Sequence, residues 1–167
     1  MKKHILLFCL LAICLISAKA QTIQGTYAIK NVQTGMLLRI KDANTKDGTP
    51  LVSYDPEDWK CMTWDFKQVD GNTYQLKNLL SGKTFEPAGT LSAGTSLHEE
   101  PLSTTATTQQ YEFEQVAKDT YTIKLKGTDL YVTPSDEKGR TNSSIILSPK
   151  SGSKLQQWTI YQQSPTI

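Results

Sequence analysis

The sequence predicts an all-β body made of three equal repeats closed on a threefold axis. Three observations predict it. "TYAIKN", "TYQLKN" and "TYTIKL" place Tyr27, Tyr74 and Tyr121 at intervals of 47 residues. "TWDF", "QYEF" and "QWTI" place Trp64, Tyr111 and Trp158 on the same interval of 47 residues. "GTPLVS", "GTSLHE" and "NSSIIL" put Leu51, Leu97 and Ile145 in matching slots. Units of this size cannot bury their apolar faces alone, so they pack on one another around a shared core.

Within each unit the pattern is that of strands. Tyr27 and Ile29, Trp64 and Phe66, and Tyr111 and Phe113 are apolar pairs two residues apart, the strand period. Thr34-Gly35, Asp70-Gly71, Ser81-Gly82 and Lys126-Gly127 punctuate the runs as turns. With strands of about 5–6 residues, a unit holds roughly four. Twelve strands in three units suggest closure, which removes the sheet edges that invite aggregation.

The chain is expected to begin with a leader over residues 1–20. Lys2, Lys3 and His4 form a basic start, an apolar run of 12 residues spans 5–16, and Ala18-Lys19-Ala20 gives an Ala-x-Ala end. A membrane-spanning helix needs about 20 apolar residues. A lipoprotein leader on Cys14 is the rival, although Ile13 stands where a small residue is wanted. Cleavage before Gln21 would leave one domain over 21–167, with repeats 21–71, 72–118 and 119–167. The expected location is outside the cytoplasm, periplasmic or secreted, with no membrane insertion of the mature chain.

Removing the leader also removes Lys2, Lys3 and Lys19, so 15 basic residues face 16 acidic ones and the net charge goes from +2 to −1. No basic stripe remains, which argues against nucleic acid as a partner. Of three cysteines, Cys61 alone lies beyond the leader and cannot form an internal disulfide. It reads as a small buried apolar residue.

Little supports catalysis. His98 is the only histidine beyond the leader, and beside Glu99 and Glu100 it makes no triad. There is no HExxH and no Cys/His ligand spacing, so neither a metal nor a cofactor is expected. "LLSGKT" at 79–84 resembles the end of a P-loop. It carries Lys77 where that motif needs glycine, and Ser81-Gly82 repeats the Thr34-Gly35 turn.

Three units each ending on Gln-x-Trp or a variant resemble the ricin-B-type β-trefoil lectins. The motif stands as Gln156-Gln157-Trp158 in the third unit, Gln109-Gln110-Tyr111 in the second and Met62-Thr63-Trp64 in the first. The openings "Y-x-I-x-N-x-x-T-G" at 27–35 and "Y-x-L-x-N-x-x-S-G" at 74–82 are similar to this family too. The resemblance covers nearly all of 21–167 and implies a β-trefoil. It also implies one sugar site per repeat, with an Asp accepting hydroxyl hydrogen bonds, an aromatic ring stacking on the sugar, and a nearby Gln or Asn.

Carried over by slot, the Asp position falls on Arg39, Glu86 and Thr133, and the aromatic position on Tyr54, Glu100 and Ser148. The Gln two residues before the aromatic falls on Val52, His98 and Ile146, and the Asn before Gln-x-Trp on Cys61, Thr108 and Leu155. No repeat keeps the full set. The first keeps the ring, Tyr54, among Asp42, Asn44, Asp47, Asp55, Asp58 and Trp59. An apolar ring face flanked by hydroxyl acceptors suits a saccharide, whereas the same Asp and Asn residues also favour solvated turns. Trp59 falls outside the 47-residue series, which leaves it no evident packing role.

The expectation is an exported, non-catalytic module that binds carbohydrate weakly, mainly through Asp42, Tyr54, Asp55, Asp58 and Trp59 of the first repeat. The alternatives are a protein-binding trefoil, such as a secreted protease inhibitor using the polar loop 102–108, and a structural trefoil that has lost its sugar sites. The recurring aromatics Tyr27, Tyr74, Tyr121, Trp64, Tyr111 and Trp158 read as core. Gln109 and Gln156 read as partners for buried backbone groups.

Overall fold

The computed structural model describes residues 22–167, so the leader expected over 1–20 lies outside the described residues. Twelve strands follow, four in each repeat. The first repeat holds β1 (Gly25–Asn31), β2 (Leu37–Ile40), β3 (Leu51–Tyr54) and β4 (Thr63–Asp70). The second holds β5 (Thr73–Asn78), β6 (Thr84–Pro87), β7 (Leu97–Glu100) and β8 (Tyr111–Ala117). The third holds β9 (Thr120–Leu125), β10 (Leu130–Pro134), β11 (Ile145–Pro149) and β12 (Gln157–Gln162). The outer strands of each repeat form a closed antiparallel barrel: β1 pairs with β4, β4 with β5, β5 with β8, β8 with β9, β9 with β12, and β12 with β1. No barrel strand is left with an open edge, as closure requires.

The inner strands form three hairpins, β2–β3, β6–β7 and β10–β11. They meet one another through the bridges Pro50–His98, Val52–Ser144 and Ser96–Ile146. Each hairpin also donates a backbone hydrogen bond to the loop of the preceding repeat. Ser53 N–H donates to Ser143 O, Glu99 N–H to Thr49 O, and Leu147 N–H to Thr95 O. This is the β-trefoil, and the threefold interlock explains why one repeat would not fold alone.

The 47-residue series is the interior. Trp64, Tyr111 and Trp158 are fully buried, and each sends its polar tip to a backbone carbonyl on the second strand of its repeat. Trp64 Nε1–H donates to Leu38 O at 3.2 Å, Tyr111 O–H to Phe85 O at 3.1 Å, and Trp158 Nε1–H to Val132 O at 2.9 Å. The acceptors recur with the donors, so a buried polar tip is satisfied in every repeat. Burial pushes the Tyr111 hydroxyl well above the usual phenol range, with the Glu86 carboxylate adding to it. At the other end of the series, Phe66, Tyr74, Phe113 and Tyr121 pack edge to face, with centroids 5.1–5.8 Å apart. Tyr27, expected in the core, is half-buried. Its ring meets Phe66 at the margin of this cluster, and its hydroxyl donates to Gln24 O.

The turn after the first strand shows why asparagine and glycine recur there. Asn31 Oδ1 accepts from the backbone N–H of Gln33 and Thr34, and Asn78 Oδ1 from those of Leu80 and Ser81. Gly35 and Gly82 close these turns with φ of +73° and +72°, a conformation that costs other residues.

Candidate functional site

Strand pairing gathers the slots implied by the lectin resemblance. Leu37 lies opposite Tyr54 and Arg39 opposite Val52, while Thr133 lies opposite Ile146 and Tyr131 opposite Ser148. The Gln-x-Trp turn, a short 3-10 segment over Lys60–Met62, Thr107–Gln109 or Lys154–Gln156, then sets its last residue against the hairpin. Each repeat therefore brings together the same three positions, filled with different chemistry.

In the third repeat these positions satisfy one another. Gln156 Nε2 donates to Pro149 O at 2.8 Å, Ser148 Oγ at 2.9 Å and Thr133 Oγ1 at 3.3 Å, and Gln156 Oε1 accepts from Ser151 N–H at 2.7 Å. Thr133 and Ser148 also bond to each other at 2.7 Å. In the second repeat Gln109 Nε2 donates to Pro101 O at 3.0 Å and Glu86 Oε2 at 2.9 Å, and its Oε1 accepts from Ser103 N–H at 2.8 Å. Both buried glutamines serve backbone groups of the turns beside them, as the sequence suggests, and those groups are part-buried.

The first repeat is different. Met62, in the glutamine position, is fully buried with Ala28 and Leu37, and Tyr54 and Trp59 pack on this cluster. The Tyr54 and Trp59 rings lie 6.0 Å apart at 40°. Trp59 thus has a packing role, which its position outside the repeat series concealed. Arg39, in the Asp position, is 7% exposed. Its guanidinium carbon sits 3.9 Å from the Tyr54 ring centroid and 5.7 Å from that of Trp59. One face of the aromatic pair is therefore taken by a cation.

Beside this pair opens a shallow cavity of about 260 Å³ bordered by Arg39, Ala43, Trp59, Lys60, Cys61, Leu80 and Ile167. Lys60 N–H donates to Ile167 O at 2.7 Å, which fixes one wall. Cys61 is buried there as a free thiol. Of the five residues expected to bind sugar, Tyr54 and Trp59 come together and Trp59 borders the cavity. The three carboxylates do not border it. Asp42 is exposed on the Lys41–Ala43 turn, where it and Ala43 adopt a φ of 53°. Asp55 is exposed and accepts from Thr141 Oγ1 at 2.8 Å, tying the first repeat to the third. Asp58 is exposed beside Trp59 in the chain, and its charge adds to the burial that raises the Tyr161 hydroxyl.

Arg39 is the residue that the sequence reading placed in a slot without assigning it to the site. Its signal was present: it is the only charged residue in the otherwise apolar strand "LLRI", all four residues of which are buried.

Comparison with known proteins agrees with the fold. A designed threefold-symmetric protein, ThreeFoil, superposes with a TM-score of 0.78 at 19% identity, covering 83% of this chain and 99% of its own. The Rhizoctonia solani agglutinin superposes at 0.76 with 21% identity, covering 87% and 100%. A ricin B-like lectin from Macrolepiota procera, solved in complex with lactose, superposes at 0.70 with 21% identity, covering 86% and 99%. No curated protein matches the chain by sequence. The model for ricin-type beta-trefoil lectin domain-like proteins matches residues 16–100. With the closed barrel, the three interlocked hairpins and the recurring Trp/Tyr-to-carbonyl bond, that match establishes that the chain belongs to the ricin-type β-trefoil lectin-like family.

Proposed function

We propose that the protein is an exported, non-catalytic carbohydrate-binding trefoil, a single domain over 21–167 behind a leader at 1–20, and that it binds through its first repeat. The observation that carries this reading is the contrast between repeats. In the second and third, the polar groups in the sugar slots are bonded to one another. In the first, Trp59, packed on Tyr54, borders an open cavity. An indole edge and apolar walls, rimmed by a few polar groups, suit a sugar ring. Asp42 and Asp58 are the chain neighbours of the cavity residues Ala43 and Trp59 and are the hydroxyl acceptors nearest to it in sequence. A single shallow site makes the binding weak. The family membership and the lactose complex of the Macrolepiota procera lectin support the ligand class.

The test is a glycan array on the mature protein with Trp59→Ala and Tyr54→Ala beside it. We expect binding that falls at least tenfold in Trp59→Ala. Equal binding by wild type and both variants rules out this site. If the array stays blank and a protease panel is inhibited, the protein-binding reading takes its place.

A further inference from the structure

Resting on the first repeat as the saccharide site, we propose that it takes an acidic saccharide, one whose ring carries a carboxylate or a sulfate, and that Arg39 reads that charge. Arg39 is an unusual buried cation. It is 7% exposed, its Nε makes no hydrogen bond, and it belongs to none of the ion pairs among the described residues. The rings of Tyr54 and Trp59 offset part of its desolvation through cation–π attraction. They supply no counter-charge, and an unpaired buried ion is costly. Arg39 borders the open cavity, where Lys60 adds a second basic residue, no Asp or Glu lines the wall, and Ile167 O already accepts from Lys60 N–H.

The chemistry of the slot is inverted with respect to a hydroxyl-reading site. A carboxylate accepts from sugar hydroxyls, whereas a guanidinium has five N–H donors and no acceptor. Its matched partner is an acceptor-only group, which on a saccharide means a carboxylate or sulfate held by two parallel hydrogen bonds. At about 260 Å³ the cavity is slightly smaller than the roughly 300–1,000 Å³ typical of drug-sized pockets, which leaves room for a single terminal ring. The equivalent residues in the other repeats are Glu86 and Thr133, so the cationic slot exists once in the molecule.

The experiment follows tryptophan fluorescence, because Trp64 and Trp158 are sealed in the core and Trp59 alone borders the cavity. The probes are an oligogalacturonate, a sulfated neutral oligosaccharide and the unmodified neutral oligosaccharide, set within a wider glycan array. We expect one of the acidic probes to bind at least tenfold more tightly than the neutral one, with the advantage shrinking as salt is raised. The first two probes show which anionic group is preferred. Arg39→Met keeps the length and apolar stem over Tyr54 and should erase the advantage, while Arg39→Lys should keep part of it. If Arg39→Met does not fold, the salt dependence of the wild type and of Arg39→Lys still decides. Equal or tighter binding of neutral glycans overturns this inference and leaves the saccharide site standing. An array with no bound glycan overturns both.

Discussion

At the end of its 3-10 turn Gln156 makes four side-chain hydrogen bonds, to Ser151, Pro149, Ser148 and Thr133. Met62 occupies the same position two repeats earlier and packs against Ala28, Leu37, Tyr54 and Trp59. The backbone around the two is alike, and in both places the tryptophan two residues on donates to a strand carbonyl. The difference teaches that Gln-x-Trp has two separable halves. The aromatic half anchors the fold in every repeat. The other half is interchangeable provided its surroundings change with it: Thr133 and Ser148 answer Gln156 with hydroxyls, and Tyr54 and Trp59 meet the Met62 cluster with rings. Where the polar set is absent, the first repeat has an open cavity bordered by Trp59.

Exchanging the two positions tests this separation. Gln156→Met should cost about 3 kcal/mol, because four hydrogen bonds of a buried amide are lost together, two of them to the part-buried Ser151 N–H and Pro149 O. The readout is the urea midpoint, and a loss under about 0.5 kcal/mol would mean that the network is dispensable. Met62→Gln should cost about 2 kcal/mol, since the amide would enter an apolar cluster without partners. It should also weaken saccharide binding by disturbing the Tyr54–Trp59 pair. If Met62→Gln is neutral, the first repeat retains a latent polar network and the contrast dissolves.

A smaller effect sharpens the comparison at the interlock. Ser53, Glu99 and Leu147 hold equivalent positions, each bonded through its backbone to the preceding repeat. Glu99 is fully buried and its carboxylate oxygens have no hydrogen-bond partner. Burial pushes its carboxyl up, against the weaker pull of the Ser81 hydroxyl and the Lys83 ammonium nearby. The folded state therefore keeps the proton to higher pH than the unfolded chain does. Between the two values it binds more protons, so stability falls as pH rises from about 4.3, the unfolded value. Glu99→Leu, the residue of the third repeat, should stabilise by about 1 kcal/mol at pH 7, with the gain fading near pH 4. A gain that does not vary with pH would show that charge burial is not its source.

Much of the fold was legible because it is periodic. Tyr74, Tyr111, Tyr121, Trp64 and Trp158 recur at one spacing, and a shared interior is the simplest physical source of such recurrence. The site was less legible because it is made of departures from the repeat. Trp59 has no counterpart at the repeat spacing, so nothing in the pattern revealed that it packs on Tyr54. Asp42, Asp55 and Asp58 were grouped by proximity in the chain, but strands and turns point neighbouring side chains in different directions, and none of the three borders the cavity. Leu80 and Ile167 come to the cavity from the second and third repeats, a meeting that no local pattern encodes.

By itself, then, the sequence determined the number of repeats, their strand content and, Tyr27 apart, the recurring aromatic residues of the core. Those features rest on periodic burial, which local alternation and recurrence express directly. The tertiary structure decided which slots are already satisfied. Gln156 finds Thr133 23 residues away and Asn31 finds Leu155 across 124 residues. Only chain closure sets such distances, and with them whether a polar group is paired inside or, like Arg39 Nε, left without a hydrogen bond beside a cavity.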